Sequence, residues 1–149
     1  MAGRKKTTFA TALLQLIFEN ADITLIGDAG GLRGSVSAGS FYIALFKDGS
    51  EPGDATQGTE CDYTGYARKG VTRAAGSWVT ASGATSNEAA ITFDACSGSS
   101  NTAGAFAICK GAVEGTDDQI YWGELTSPLA ISTGITPEFA IGDLDVSEV

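Results

Sequence analysis

Carboxylates are the most plentiful reactive groups in this chain. Asp117, Asp118, Glu124, Asp143 and Asp145 fall close together near its end. Two carboxylates flanking a glycosidic bond can act as acid and base, or as acid and nucleophile, at separations of about 5–9 Å. Here the acids stand on turns and alternating strand positions, where solvated charge is the ordinary role. Asp143 and Asp145 also suit calcium, a hard cation that takes clustered carboxylates. They match no EF-hand loop, which needs glycine at the sixth position and glutamate at the twelfth. No metal or cofactor is therefore expected.

Nucleophilic chemistry fares worse. The 149 residues contain no histidine, and no serine sits in G-x-S-x-G. That excludes Ser-His and Cys-His pairs and the commonest zinc ligand. Cys61, Cys96 and Cys109 form no C-x-x-C pair, so they make neither a zinc knuckle nor a disulfide framework. Cys96 and Cys109 lie near apparent strands and read as buried apolar residues, whereas Cys61 lies in a polar stretch and reads as exposed. The glycine-rich run GDAGGLRGSVSAGS (27–40) lacks both the lysine-Ser/Thr ending of a Walker motif and G-x-G-x-x-G. The chain is expected not to be an enzyme.

The elements that would position these groups are mostly strands. Residues 8–19 form the one convincing helix, capped by Thr7 or Thr8, with Phe9, Ala12, Leu13, Leu16 and Ile17 at helical spacing. Leu14 and Phe18 widen that stripe, which is expected to dock on the chain's own sheet. Arg4, Lys5 and Lys6 ahead of an apolar run imitate a signal peptide. Thr11 and Gln15 interrupt the run, and Glu19-Asn20 stand where a cleavage site belongs, so it reads as a structural helix. No apolar stretch reaches the length of a membrane span. From 41 onward, short runs alternate with Gly/Ser/Asp turns: FYIALFK (41–47), YARKGVTR (66–73), 78–82, AAITF (89–93), AFAICK (105–110), QIYWGEL (119–125), 138–141 and 144–146. GATSNE (83–88) reads as a turn, and 48–62 as a polar, acidic loop. This predicts a mainly β fold, an antiparallel β-sandwich or jelly roll of about eight strands with one N-terminal amphipathic helix. The expected organisation is one domain overall. It comprises a basic arm and helix at 1–26, a Gly-rich loop or arm at 27–40, and a β-sandwich body at 41–149.

Charge narrows the partners. Nine basic residues face eighteen acidic ones, a net charge of −9. Arg4, Lys5 and Lys6 precede the first acid, Glu19, and after Lys110 there are eight acids and no base. Such a body repels phosphate backbones, so nucleic acid is not an expected partner, and neither is a membrane.

Laid end to end, the motifs resemble a family of small tailed-phage virion proteins labelled tail-fibre or head-decoration proteins. The matching elements are LLQLIF (13–18), FYIALFKDGSEPG (41–53), YTGYARKGV (63–71), GATSNEAAITF (83–93), AFAICK (105–110), IYWGELTSPLAI (120–131) and TPEFAIGDLDV (136–146). The basic tip and the 27–40 insert are not matched. The resemblance implies a virion structural protein without catalytic or cofactor residues.

With no shaft repeat and no coiled-coil heptads, the first expectation is a capsid decoration (cement) protein on the outside of the assembled head. It would stabilise major capsid protein contacts by binding only the assembled lattice. Its partners would be the major capsid protein and copies of itself, trimers suiting local threefold positions. It would be made in the host cytoplasm and end on the capsid surface of the virion. Arg4, Lys5, Lys6, Phe9, Leu13 and Arg33 are the expected partner contacts. The alternative is a tail-fibre or adhesion component contacting the host surface, with Trp78 or Trp122 at a glycan site. A third reading is a carboxylate-based hydrolase.

Overall fold

The computed structural model describes residues 4–148; the first three residues of the expected 1–26 arm, and Val149, lie outside them. Among the described residues the chain is mainly β with one helix, and nine strands form open antiparallel sheets with no closed barrel. This is the sandwich-like class expected from the alternation. Packing separates the chain into two compact units. One is Met1–Gly39, Thr72–Ile91 and Phe139–Val149; the other is Ser40–Val71 and Thr92–Glu138.

The first unit is built from helix α1 (Thr7–Phe18) and the ladder β3 (Trp78–Ala81), β4 (Ala84–Asn87) and β9 (Asp145–Ser147), in the order β3-β4-β9. GATSNE was expected as a turn, yet 84–87 is the central strand of this ladder. Only Ser82 and Gly83 turn the chain, both at positive φ (53° and 82°), as a two-residue hairpin requires. The threonine cap is not made: the N-cap is Lys6, with no side-chain bond. Thr11 instead ties the helix down, its Oγ1 donating to Thr7 O at 2.9 Å and accepting from Gly83 N at 2.8 Å.

The buried helical face is Ala10, Leu14 and Phe18. The expected stripe is rotated away from the core, with Phe9 39% exposed and Leu13, Leu16 and Ile17 half-buried. A run this apolar admits either register, and Trp78 decides between them. It is buried edge-on against Phe18, with ring centroids 4.7 Å apart.

Arg73 holds the other end of the helix. Its Nε donates to Ile17 O at 2.6 Å and its Nη2 to Leu16 O at 3.0 Å, satisfying carbonyls the helix cannot pair itself. Its Nη1 reaches Ser35 Oγ and Ala38 O, both at 3.2 Å, so the same side chain pins the glycine-rich loop. At Gly31 a Cβ would lie 1.9 Å from Ile23 O, so only glycine fits there.

The second unit carries the four-stranded ladder β2-β1-β6-β7, formed by β1 (Ser40–Lys47), β2 (Lys69–Thr72), β6 (Asn101–Cys109) and β7 (Gln119–Ile131). A two-stranded ladder pairs β5 (Ile91–Thr92) with β8 (Glu138–Phe139). Both faces of β1 and β6 are buried, as the apolar run at 41–47 implied. Ala44, Phe46, Ala105, Ala107 and Cys109 form one core cluster. Gly104 lies where the register of β6 shifts, and a Cβ there would meet Glu51 Oε1 at 2.6 Å and Asp48 Cα at 2.8 Å.

Candidate functional site

Strand β7 is an edge strand, and its outer positions alternate Ile120, Trp122 and Glu124, all exposed. Trp122 is 42% exposed, unusual for the largest apolar side chain. It pairs in register with Ala107 on β6, which fixes its place on the sheet. The start of β7 and the loop 53–57 enclose a hollow of about 520 Å³ lined by Trp122, Ile120, Gln57, Gln119, Asp54 and Asp117.

The walls are held by backbone-directed bonds. Gly53 and Thr56 exchange N–H···O bonds of 2.9 and 3.1 Å, closing the loop into a tight turn. Gln57 Nε2 donates to Gly115 O at 2.5 Å, and Gln119 Nε2 donates to Gln57 O at 2.8 Å. Asp117, at φ 52°, takes the left-handed conformation that aspartate tolerates in turns.

A buried ionic cluster fixes the hairpin loop between β6 and β7, the loop that carries Asp117. The Arg68 guanidinium bonds Glu60 through Nε at 3.0 Å and Nη2 at 2.9 Å, and pairs with Asp118 through Nη1. Nη1 also donates to Gly111 O at 2.8 Å and Val113 O at 3.2 Å. Tyr66 completes the group, donating from its hydroxyl to Glu60 Oε1 at 2.6 Å and accepting from Leu45 N at 3.0 Å. Burial and then the bond to Glu60 push the Tyr66 hydroxyl far above its ordinary value. Burial alone would lower the Arg68 value, but its bonds to Glu60 and Asp118 outweigh that and raise it. Tyr66 therefore stays a neutral donor and Arg68 stays cationic. Asp118 Oδ1 is buried without a partner among the described residues, which makes this carboxylate depend on Arg68.

The residues expected to meet a partner lie in the first unit. Arg4, Lys5 and Lys6 are exposed just before α1, and Lys5 pairs with Glu148. Phe9 and Leu13 stand one turn apart on α1, where Phe9 is exposed and Leu13 half-buried. Arg33 is exposed in the glycine-rich loop, 3.9 Å from Asp22. Helix α1 packs on β3 and β4 of its own unit.

Of the candidate acids, Asp118 is buried against Arg68, while Asp117, Glu124, Asp143 and Asp145 are exposed. Asp143 and Asp145 flank buried Leu144. Trp78 is 1% exposed and cannot meet a glycan, so of the two tryptophans only Trp122 is available. Cys61, expected to be exposed, is buried like Cys96 and Cys109. Its backbone N–H joins Leu45 O at 2.8 Å, drawing this polar stretch against β1. Burial raises the Cys61 and Cys109 thiols to about 12. The Arg68 cluster had no local signal, because it joins residues from three separated segments. Arg68 sits in YARKGVTR, where only alternation was legible.

A family model described as Podophage GP4 fiber I protein gp80 matches residues 31–147. No curated protein matches the chain.

Proposed function

The chain belongs to the family of the podophage GP4 fiber I protein gp80, and from that premise we propose that it is a fibre component of a phage virion, acting by adhesion to a host surface. The single observation that carries this is the family match, which spans residues 31–147 and so covers all of the second unit and every strand of the first, but not helix α1. The expected head-decoration role rested on the missing shaft repeats, and the family description favours the fibre alternative over it. The exposed edge-strand tryptophan supports the same reading. Exposed aromatics beside fixed polar groups suit recognition, and the best-buried acid, Asp118, is committed to an ion pair. We infer a non-enzymatic role without a cofactor. The acidic excess works against nucleic acid as a partner.

Locating and counting the protein in purified particles tests this. Copies confined to tail-associated fibres are expected. Hundreds of copies spread over the head would overturn the fibre role in favour of decoration.

A further inference from the structure

The geometry points to a saccharide site: we propose that the hollow bounded by loop 53–57 and the start of β7 binds a neutral glycan, with a pyranose ring stacked on Trp122. This rests on the adhesion role proposed above and names the ligand class.

Four observations on the hollow agree. Its volume of about 520 Å³ falls within the range of about 300–1,000 Å³ typical of small-ligand sites. It holds one exposed aromatic platform, Trp122, with Ile120 beside it, and the rest of the lining is polar apart from the small residues Gly53 and Ala55. A pyranose has the matching character, with an apolar face of C–H groups and a rim of hydroxyls. The amides of Gln57 and Gln119 are held by bonds to backbone carbonyls, and the 53–56 turn is closed on itself. The polar groups are thus set before a ligand arrives, which reduces the entropy lost on binding. Finally, the charged groups are the carboxylates Asp54 and Asp117, strong acceptors for sugar hydroxyls.

Those carboxylates also exclude other ligands. With no cation in the lining and a net charge of −9, the hollow disfavours phosphates, uronates and sialylated sugars. Its apolar area is too small for a lipid or an amphipathic helix. A cation is not the better occupant, because among the described residues no group of three or more carboxylates or thiols is placed to hold one.

The test uses the intact protein and its own fluorescence. Trp78 is 1% and Trp122 42% exposed, so acrylamide quenching reports chiefly on Trp122. The probes are methyl glycosides of glucose, galactose, mannose and rhamnose, N-acetylglucosamine oligomers, and oligogalacturonate at low ionic strength. At least one neutral probe should protect Trp122. Asp117→Asn should weaken that binding by about tenfold. Trp122→Ala, which lacks the reporter ring and is therefore titrated by calorimetry beside the parent chain, should abolish binding while thermal unfolding stays near that of the parent. If Trp122→Ala does not fold, Trp122→Leu, which keeps apolar bulk without a ring face, must show the same loss. Oligogalacturonate should bind at least tenfold more weakly than the best neutral probe. Three results would each overturn the site: no neutral probe protects Trp122, binding survives removal of the ring, or oligogalacturonate binds as well as neutral sugars. Particle localisation is unaffected by any of these, so loss of the site and loss of the fibre role are separately visible.

Discussion

Replacing Arg68 with methionine keeps most of the aliphatic stem and removes the charge. The Glu60 and Asp118 side chains are 9% and 10% exposed, so both carboxylates would be left in a largely dry site without a counter-ion. The carbonyls of Gly111 and Val113 would lose their donor as well. Two unit charges at about 4 Å and an effective dielectric near 20 attract by about 4 kcal/mol. The guanidinium itself no longer has to be desolvated, which offsets part of that loss. Breaking a buried pair from one side costs about 3–5 kcal/mol in general, and that is the loss expected here. Denaturant unfolding of Arg68→Met against the parent measures it. A triple variant, Arg68→Met with Glu60→Gln and Asp118→Asn, carries no orphaned charge and should recover part of the loss. Acid should help the single variant too. Orphaned buried carboxylates favour the protonated form, so the folded state takes up protons more readily than the unfolded chain. Its deficit should shrink as pH falls from neutrality toward the ordinary carboxylate range. A loss below about 1 kcal/mol, the level of an exposed pair, would refute the cluster's role. So would a triple variant no more stable than the single one.

Further outcomes follow from other buried groups. Asn87 is fully buried, donates to Ala89 O and Ala140 O at 2.8 Å each and accepts from Leu144 N at 3.0 Å. Asn87→Ala strands all three and should cost about 2–4 kcal/mol by denaturant unfolding. Arg73→Ala should cost about 1–3 kcal/mol and raise amide exchange both at the end of α1 and around Ser35, because one guanidinium serves both. The three buried thiols should resist a disulfide reagent at pH 8 in the native protein, and all three should react in denaturant. Cys61 and Cys109 titrate in the fold at about 12 instead of 9, so the native state keeps protons the unfolded chain releases. Their contribution is fully present below about pH 9 and lost as pH rises toward 12, which alkaline unfolding curves should show.

Periodicity made the fold class legible, and its failures have physical causes. FYIALFK and AFAICK are apolar on both faces, and they became β1 and β6, the buried centre of the four-stranded ladder. GATSNE did not look like a strand because turn residues fill it. Thr85 and Asn87 are nevertheless buried, Thr85 accepting from the Thr80 hydroxyl across the hairpin and Asn87 from the distant Leu144 N–H. The rotation of α1 was unreadable for a similar reason, since Phe9, Leu13 and Leu14 offer equal hydrophobicity and only distant Trp78 selects among the registers. At the candidate site, the exposure of Trp122 follows from β7 being an edge strand, a fact of strand order that alternation cannot supply.

Charge ties the site to the fold. Basic residues are scarce, and two of them work inside the structure: Arg68 binds Glu60, Asp118 and the β6–β7 loop, while Arg73 binds the end of α1. Lys47 and Lys69 pair with Asp62 and Asp94, each at 2.9 Å. With cations engaged in this way, Asp54, Asp117 and Glu124 give the rim of β7 a negative field. Arg68 also positions the loop that carries Asp117 and the backbone carbonyl of Gly115 that anchors Gln57. Saccharide binding and the Arg68 cluster should therefore be coupled. A variant that loosens the cluster while remaining folded, such as Tyr66→Phe, should weaken neutral-sugar binding without touching Trp122. Equal affinity in Tyr66→Phe and the parent would show that the hollow is held by loop 53–57 alone.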